Sequence, residues 1–462
     1  MSLIKIKQPT IEKNLYQNFW NQYVKKKNDG EWMDILYKTE NPKYLHFEKL
    51  RFKTPKDYNE KDFWTAIKVH RDSKKQIFPK IKDKNGNPFY WIKLDRFDSI
   101  LRELDSSKES YWQSSFESGT SKWKSLSKKT FFEKNIENLE KNSESLLKNS
   151  LIEEAIASAQ LEGAHTTRRI AKKMILEEQK PANNSERMVM NNYKAINFIG
   201  ENFTRGDDLS SNVFFDLHSI LMEGDIDIEK NKIGAFREDK DEIVVGNGKL
   251  TDYVYEAPKM EFVKKQMEEL CNFANDCSTK DFIHPIIKAI ILHFWFGYLH
   301  PFVDGNGRIA RCIFYWSLMQ DNYDFMAYYP ISTMIKKSPK QYSDSYIYTE
   351  QDDNDLTYFI DYNLNKIKEA KDSFELYFER KIKEQNQITE IAEKKDLNDR
   401  QEQLLKDINL NRFNYITPTS YMNLYSISKP TAIKELKELE AKKILEIKKV
   451  GKEVRYYEKD DK

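Results

Sequence analysis

At 462 residues the chain is too long for one ordinary core and implies two to four units at roughly 100 to 200 residues each. Its 76 Lys+Arg against 74 Asp+Glu leave a formal charge of +2, so global electrostatics favour neither nucleic acid nor an anionic membrane, and any binding patch must be local. Three cysteines, Cys271, Cys277 and Cys312, form an odd set without metal-type pairing, which argues against a disulfide scaffold and against zinc and points to a reducing cytoplasm.

The opening MSLIKIKQPTIEKN lacks the apolar core of a secretory signal, and no later stretch supplies the roughly eighteen uninterrupted apolar residues of a spanning helix. A soluble, cytoplasmic chain without a membrane partner is expected. Residues 1–105 mix short amphipathic helices, YLHFEKLRF and FWTAIKVHR, with an Asn-Gly turn between β-prone flanks in IKDKNGNPFYWIKL. They read as a small α+β region whose aromatic faces serve packing. Residues 106–150, rich in Ser and Lys, read as a connecting segment.

From 151 to 365 the pattern is a succession of helices punctuated by PANNSE, RGDDLSS and DCSTKD, the main domain of a mainly α fold. One β-like interruption, DEIVVGNGKLTDYVYEAP at 241–258, reads as a hairpin. The most apolar stretch, Phe282 to His300, is apolar almost all round the helical wheel and so predicts a buried central helix. Residues 366–400 form a charged helical linker to a final unit at 401–462.

The segment HPFVDGNGR, 300–308, carries the chemistry. His300 closes the buried helix and Pro301 turns the chain away, which places an imidazole rigidly at a cleft where it can act as a general base near neutral pH. Asp304 offers the hard oxygen ligand that magnesium takes when it shares its coordination with substrate phosphates. Gly305, Asn306 and Gly307 can turn successive backbone N–H groups toward one anion at the start of a new helix. Arg308 and Arg311, three apart on that helix, share a face near this turn and can hold a polyphosphate. Each element alone has a bland reading as a helix end, a turn or a solvated face. Their confinement to twelve residues points to transfer of a nucleotide-type phosphate group to a nucleophile that His300 deprotonates.

The same twelve residues resemble the signature of Fic-domain proteins, His-Pro-Phe-x-Asp-Gly-Asn-Gly-Arg-x-x-Arg, at every specified position. A weaker resemblance extends over 150–365 and includes GAFRED at 234–239 and the hairpin after it. It implies an all-helical Fic core with a β-hairpin flap and transfer of AMP from ATP, with Mg2+, to a Ser, Thr or Tyr hydroxyl of a protein. His300 is then the base and Asp304 the magnesium ligand. Asn306 and the amides of Gly305 and Gly307 steady the α-phosphate, while Arg308 and Arg311 hold the β- and γ-phosphates. The hairpin around Val244, Val245 and Tyr255 is the flap that registers a target segment by strand-like pairing.

Upstream, IEEAIASAQLEGAHTT spaces Ser158 and Glu162 four apart on a helix that Gly163 would end. It resembles the Ser/Thr-x-x-x-Glu-Gly/Asn inhibitory motif of Fic proteins that carry the inhibitor helix before the core. The resemblance implies that Glu162 occupies Arg311 and displaces the γ-phosphate, with Ser158 in support. Transfer of another nucleotide such as UMP, or removal of AMP by the same site, stays open, as do self-modification and a homodimer. A toxin of a toxin–antitoxin pair is disfavoured because the inhibitor lies in the same chain.

The last sixty residues read helix, helix, helix, hairpin, with Ser428 as N-cap, Pro430 early in a helix and two strands around Gly451, which looks like a winged-helix domain. Lys429, Lys434 and Lys437 are candidate DNA-phosphate contacts. From Lys429 to Lys462, however, eleven basic residues face eight acidic ones, a small excess for DNA binding. Protein interaction or dimer formation is the favoured use, and a nucleotide-sensing DNA-binding regulator is the alternative from another class.

Overall fold

The computed structural model describes residues 9–26, 30–56, 58–116, 131–203, 206–241, 244–246, 253–276, 282–410, 413, 415–451 and 453–459. Cys277, the hairpin turn at 247–252 and residues 117–130 of the connecting segment lie outside them. The described chain is mainly helical, as the sequence predicts. Its first half carries α1 (Lys13–Lys26), α2 (Gly30–Lys38), α3 (Phe47–Leu50), α4 (Glu60–Asp72), β1 (Lys75–Lys82), β2 (Pro88–Ile92), α5 (Asp95–Phe116), α6 (Phe131–Leu161), α7 (Arg168–Leu176), α8 (Asn184–Asn202) and α9 (Ser211–Leu221). The second half carries β3 (Val244–Gly246), β4 (Tyr253–Glu256), α10 (Met260–Asn275), α11 (Pro285–Leu299), α12 (Asn306–Gln320), α13 (Ile331–Lys336), α14 (Pro339–Gln351), α15 (Thr357–Lys394), α16 (Asp399–Asn409), α17 (Pro418–Tyr425), α18 (Lys429–Ala441), β5 (Leu445–Val450) and β6 (Glu453–Glu458). Among the described residues the strands form three antiparallel pairs, and no helix is long and apolar enough to cross a membrane.

The chain divides into two compact units. One comprises Met1–Lys108, Lys194–Met326 and Ile331–Glu369, and the other Glu109–Tyr193, Ala327–Pro330 and Ala370–Lys462. The first unit is centred on α11. Its start is fixed by Pro285 at the head of the helix and by His284, whose side chain accepts from the Ile286 N–H. Phe282, which the hydropathy pattern would include, therefore stays outside, 74% exposed. Within the helix Ile286, Ile290, Phe294, Trp295 and Leu299 are fully buried, and each such side chain contributes about 1.5–3 kcal/mol by leaving water.

Residues 9–105 belong to this same unit. The β1–β2 hairpin turns at Gly86, which has a left-handed φ of 86°, and Asp83 accepts from the Asn85 and Asn87 amides there. Phe89 then packs edge-on against Phe294 and Tyr298 of α11, and β2 exchanges backbone hydrogen bonds between Tyr90 and the Asn354–Leu356 segment. A buried polar cluster completes the join. Lys68 reaches Asp352 at 2.7 Å, Arg71 donates to Tyr358, and Tyr44 donates to Asp355. Such groups remain charged in the interior only because each is answered by a partner. The aromatic faces read from sequence as packing surfaces serve as such: Phe47, Phe63 and Trp64 lie in the N-terminal apolar cluster.

In the second unit, Ile152, Ile156 and Ala159 of α6 pack with Ala171 and Met174 of α7 and with Val189. A separate apolar cluster gathers Leu404, Leu405 and Ile408 of α16, Tyr421 of α17, Leu436 and Leu439 of α18, and Leu445 and Tyr456 of the β5–β6 hairpin. Burial opposes the charge of Glu435 there, yet the guanidinium of Arg400 and the hydroxyl of Tyr421 hold its carboxyl below the usual carboxylate range.

His46 supplies a pH test of the join between the N-terminal residues and α14. It is buried, stacked at 4.1 Å on Tyr348, and accepts from the Glu48 N–H. Burial pushes its pKa down to about 4, against the pull of Asp352 and Glu48. An unfolded histidine titrates near 6.5, so the unfolded chain binds the extra proton and stability falls as pH drops from about 6.5 to about 4. His46→Asn keeps the capping acceptor and removes the titration. Urea midpoints at pH 7 and 4.5 should fall less for the variant than for the wild type, and equal falls would contradict this.

Candidate active site

Helix α11 ends where the sequence predicts. His300 adopts a left-handed conformation (φ 49°, ψ 57°) and its N–H closes the helix on the Phe296 carbonyl, after which Pro301 leads into the loop. Left-handed backbone in a non-glycine residue costs about 1–2 kcal/mol, so it persists only where neighbours enforce it. Arg237 does so. Its Nε donates to the His300 carbonyl at 2.8 Å, its backbone N–H donates to the Pro301 carbonyl, and its guanidinium also reaches the Pro258 carbonyl.

The ring is fixed as firmly as the backbone. His300 Nδ1 lies 3.0 Å from the Gly297 carbonyl. A carbonyl only accepts, so Nδ1 carries the proton and the lone pair sits on Nε2. That is the tautomer a general base requires.

The loop from Pro301 to Gly305 is braced by Asn306, whose buried amide accepts from the Phe302 N–H at 2.9 Å and donates to the Phe302 carbonyl at 2.8 Å. Asn306 thus shapes the loop with its side chain and offers only its backbone N–H to a ligand. Gly305 caps α12 with φ 79°, and a Cβ there would stand 2.5 Å from the Met222 methyl. Gly307 lies inside the regular helix, so the three-residue turn read from sequence is one left-handed glycine followed at once by α12. The amides of Asn306, Gly307 and Arg308 head this helix, where no intrahelical carbonyl reaches them and the helix dipole favours an anion.

Asp304 stands half-exposed over this helix head. Its Oδ1 accepts from the Gly305 N–H at 2.6 Å and its Oδ2 from Arg308 Nη2 at 2.8 Å. Arg308 and Arg311 are both buried, which sets them apart from solvated helix arginines and concentrates positive charge beneath the loop. The field of Arg311 reaches His293 of α11, whose pKa burial and that charge together push down to about 3.

His218 of α9 was not singled out by the sequence. It is fully buried, stacks on Phe302 at 4.2 Å and 10°, and accepts at Nδ1 from the Gly234 N–H. Burial pushes its pKa down to about 4, with Asp304 opposing and Arg308 assisting, so it packs as a neutral ring under the loop. Gly234 and Arg237 of the GAFRED segment therefore reach the two sides of the site, one through His218 and the other through His300. The only sequence signals were a histidine on the buried face of α9 and the GAFRED resemblance itself.

Val244, Val245 and Tyr255 lie in the same unit on the β3–β4 pair, where Val245 is opposite Tyr255 and Val244 opposite Glu256. Ser158 and Glu162 lie in the other unit. Ser158 is buried on α6, Glu162 is exposed just past its end, and Gly163 turns with φ 96°. Among the described residues no three His, Cys, Asp or Glu side chains gather as a metal cage.

Residues 208–318, which contain this entire loop and both helices to Leu318, match the model of the Fic/DOC family. The chain carries a Fic/DOC domain. Sixty-three residues are 38% identical to Protein adenylyltransferase fic-1 of Caenorhabditis elegans, covering 14% of this chain and 12% of that protein. Ninety-three residues are 36% identical to Protein adenylyltransferase Fic of Nematostella vectensis, covering 17% and 20%. The chain thus matches no more than a fifth of the length of these relatives. Among solved structures, a Fic family protein from Desulfovibrio desulfuricans G20 aligns over 80% of this chain and 98% of that one, at 17% identity and a TM-score of 0.48. A fragment of Fic-1 from C. elegans aligns over 80% and 87%, at 14% identity and a TM-score of 0.43.

Gly305 combines a left-handed φ with a close neighbour and accepts a side chain poorly. Gly305→Ala should lower stability by about 1–2 kcal/mol from the left-handed backbone alone. Urea unfolding measures this, and a loss below about half a kcal/mol would show that the loop relaxes without cost.

Proposed function

We propose that the chain is a protein adenylyltransferase that moves AMP from ATP to a Ser, Thr or Tyr hydroxyl of a target protein and restrains itself through Glu162. One observation supports this above the others: the His300 tautomer leaves the lone pair on Nε2, in the residue that opens the loop to a helix head carrying two buried arginines and a half-exposed carboxylate. The adenylyltransferase names of the partial relatives agree with it.

In the proposed reaction His300 Nε2 accepts the proton of the target hydroxyl as the hydroxyl oxygen attacks the α-phosphorus. The new oxygen–phosphorus bond forms as the bond from that phosphorus to the bridging oxygen breaks, and pyrophosphate departs with the electron pair. The amides at the head of α12 stabilise charge on the α-phosphate oxygens. Arg311 takes the terminal phosphate, and Arg308 acts from below by orienting Asp304.

A magnesium ion suits this site. A half-exposed carboxylate already steadied by Gly305 and Arg308, with no cage of protein ligands around it among the described residues, fits an ion that draws its other ligands from phosphates and water. Asp304 would hold it, and when bound it supplies charge neutralisation at the α- and β-phosphates. The β3–β4 pair would align an extended segment of the target through its backbone.

The restraint rests on the Ser158–Glu162–Gly163 pattern. A carboxylate on Arg311 competes with the γ-phosphate for the same guanidinium and leaves ATP excluded or misaligned. With α-labelled ATP and magnesium, Glu162→Gly should raise label transfer to protein roughly tenfold or more, equivalent to about 1.4 kcal/mol. Adding His300→Ala to that variant should abolish it. Equal labelling with and without Glu162 would remove the restraint, and label persisting without His300 would remove the base.

A further inference from the structure

The structure changes the electrostatic case at the C-terminal end. Counted in sequence, the acids there nearly balance the bases. In the fold they do not share the surface equally. Between Ser428 and Gly451 the exposed charged side chains are Lys429, Lys434, Lys437, Lys443, Lys448 and Lys449 against Glu440 alone. The return strand β6 and the residue after it add Lys459 against Glu453 and Glu458. Glu435 is withdrawn into the core with Arg400 and Tyr421, while partly buried Glu438 accepts from Gln401 and faces Lys434 at 3.9 Å, and partly buried Glu446 pairs with Lys448.

The scaffold under these lysines has the shape that presents a helix to a duplex. Helix α17 is closed at its head by the reciprocal Thr417–Ser420 capping pair and leaves through left-handed Ser426. Ser428 then caps α18 by accepting from the Thr431 N–H. Helix α18 buries Ala432, Glu435, Leu436 and Leu439, which leaves Lys429, Lys434 and Lys437 on its outer side. Its 13 residues span about 20 Å, enough to lie along a major groove about 12 Å wide. The β5–β6 hairpin is fastened by the paired hydrogen bonds between Ile416 and Tyr456, and its exposed β5 residues include Lys448 and Lys449.

We propose that this face is a binding site for double-stranded DNA, with α18 in the major groove and Lys429, Lys434, Lys437, Lys448 and Lys449 on flanking phosphates. The ligand class follows from a convex helix, a lateral hairpin and dispersed lysines, which suit the two phosphate rows of a duplex. It stands independently of AMP transfer at His300. A chain near overall neutrality has little other electrostatic reason to bind a duplex, so binding would report this face.

The test is fluorescence anisotropy of the full chain with a random-sequence duplex of about 25 base pairs between 50 and 200 mM salt, conditions under which phosphate contacts dominate affinity. Lys429→Ala/Lys434→Ala/Lys437→Ala should weaken binding at least about tenfold and flatten the dependence of log K on log salt by about 3. Lys180→Ala/Lys383→Ala/Lys394→Ala removes the same charge from exposed sites elsewhere in that unit and should change neither appreciably. No duplex binding at 50 mM salt, or equal losses in the two variants, would overturn the proposal. Displacement of the labelled duplex by poly-glutamate at a lower charge concentration than by unlabelled duplex would also overturn it and point to an acidic protein.

Discussion

Everything proposed for the catalytic end depends on the bond from His300 Nδ1 to the Gly297 carbonyl. A histidine at a helix terminus has two tautomers and several rotamers, and only one combination presents a lone pair outward. Here the last turn of α11 makes that choice. The acceptor belongs to the helix itself, three residues back, so the ring orientation is tied to the last turn of a buried helix. Gly297 is packed tightly enough that a Cβ would meet the Tyr346 hydroxyl at 2.5 Å, which ties the same turn to α14.

Around that bond the fold divides its labour. The GAFRED segment holds the strained backbone of His300 through Arg237 and the underside of the loop through Gly234 and His218. Asn306 locks the loop, and Arg308 turns Asp304. The N-terminal residues support the elements that carry the site: Phe89 braces α11, and the Lys68–Asp352 pair joins α4 to the end of α14. Positioning groups therefore outnumber those that would touch a substrate, which is what preorganisation requires.

The place of residues His300 to Arg311, at the end of a buried helix and the head of the next, was legible because the turn residues are local in sequence and the helix before them is read from hydropathy. The roles of Asn306 and Arg308 were less so. Their side chains meet Phe302 and Asp304, contacts that the sequence does not announce, because burial at the head of α12 turns them toward the loop. The roles of Arg237 and His218 were hidden for another reason. Their partners lie 63 and 16 residues away, and no periodicity announces a single bond across a fold. The C-terminal charges show a third limit, since a count weighs buried Glu435 and exposed Lys437 alike.

The central claim is that the His300–Arg311 loop receives a magnesium-bound nucleotide. Calorimetric titration of ATP into Glu162→Gly protein, with and without magnesium and with Asp304→Asn beside it, tests this without any target protein. Magnesium should tighten ATP binding, and Asp304→Asn should remove this gain while magnesium-free binding survives. Failure of ATP to bind, or a magnesium gain that persists without the Asp304 carboxylate, would contradict it.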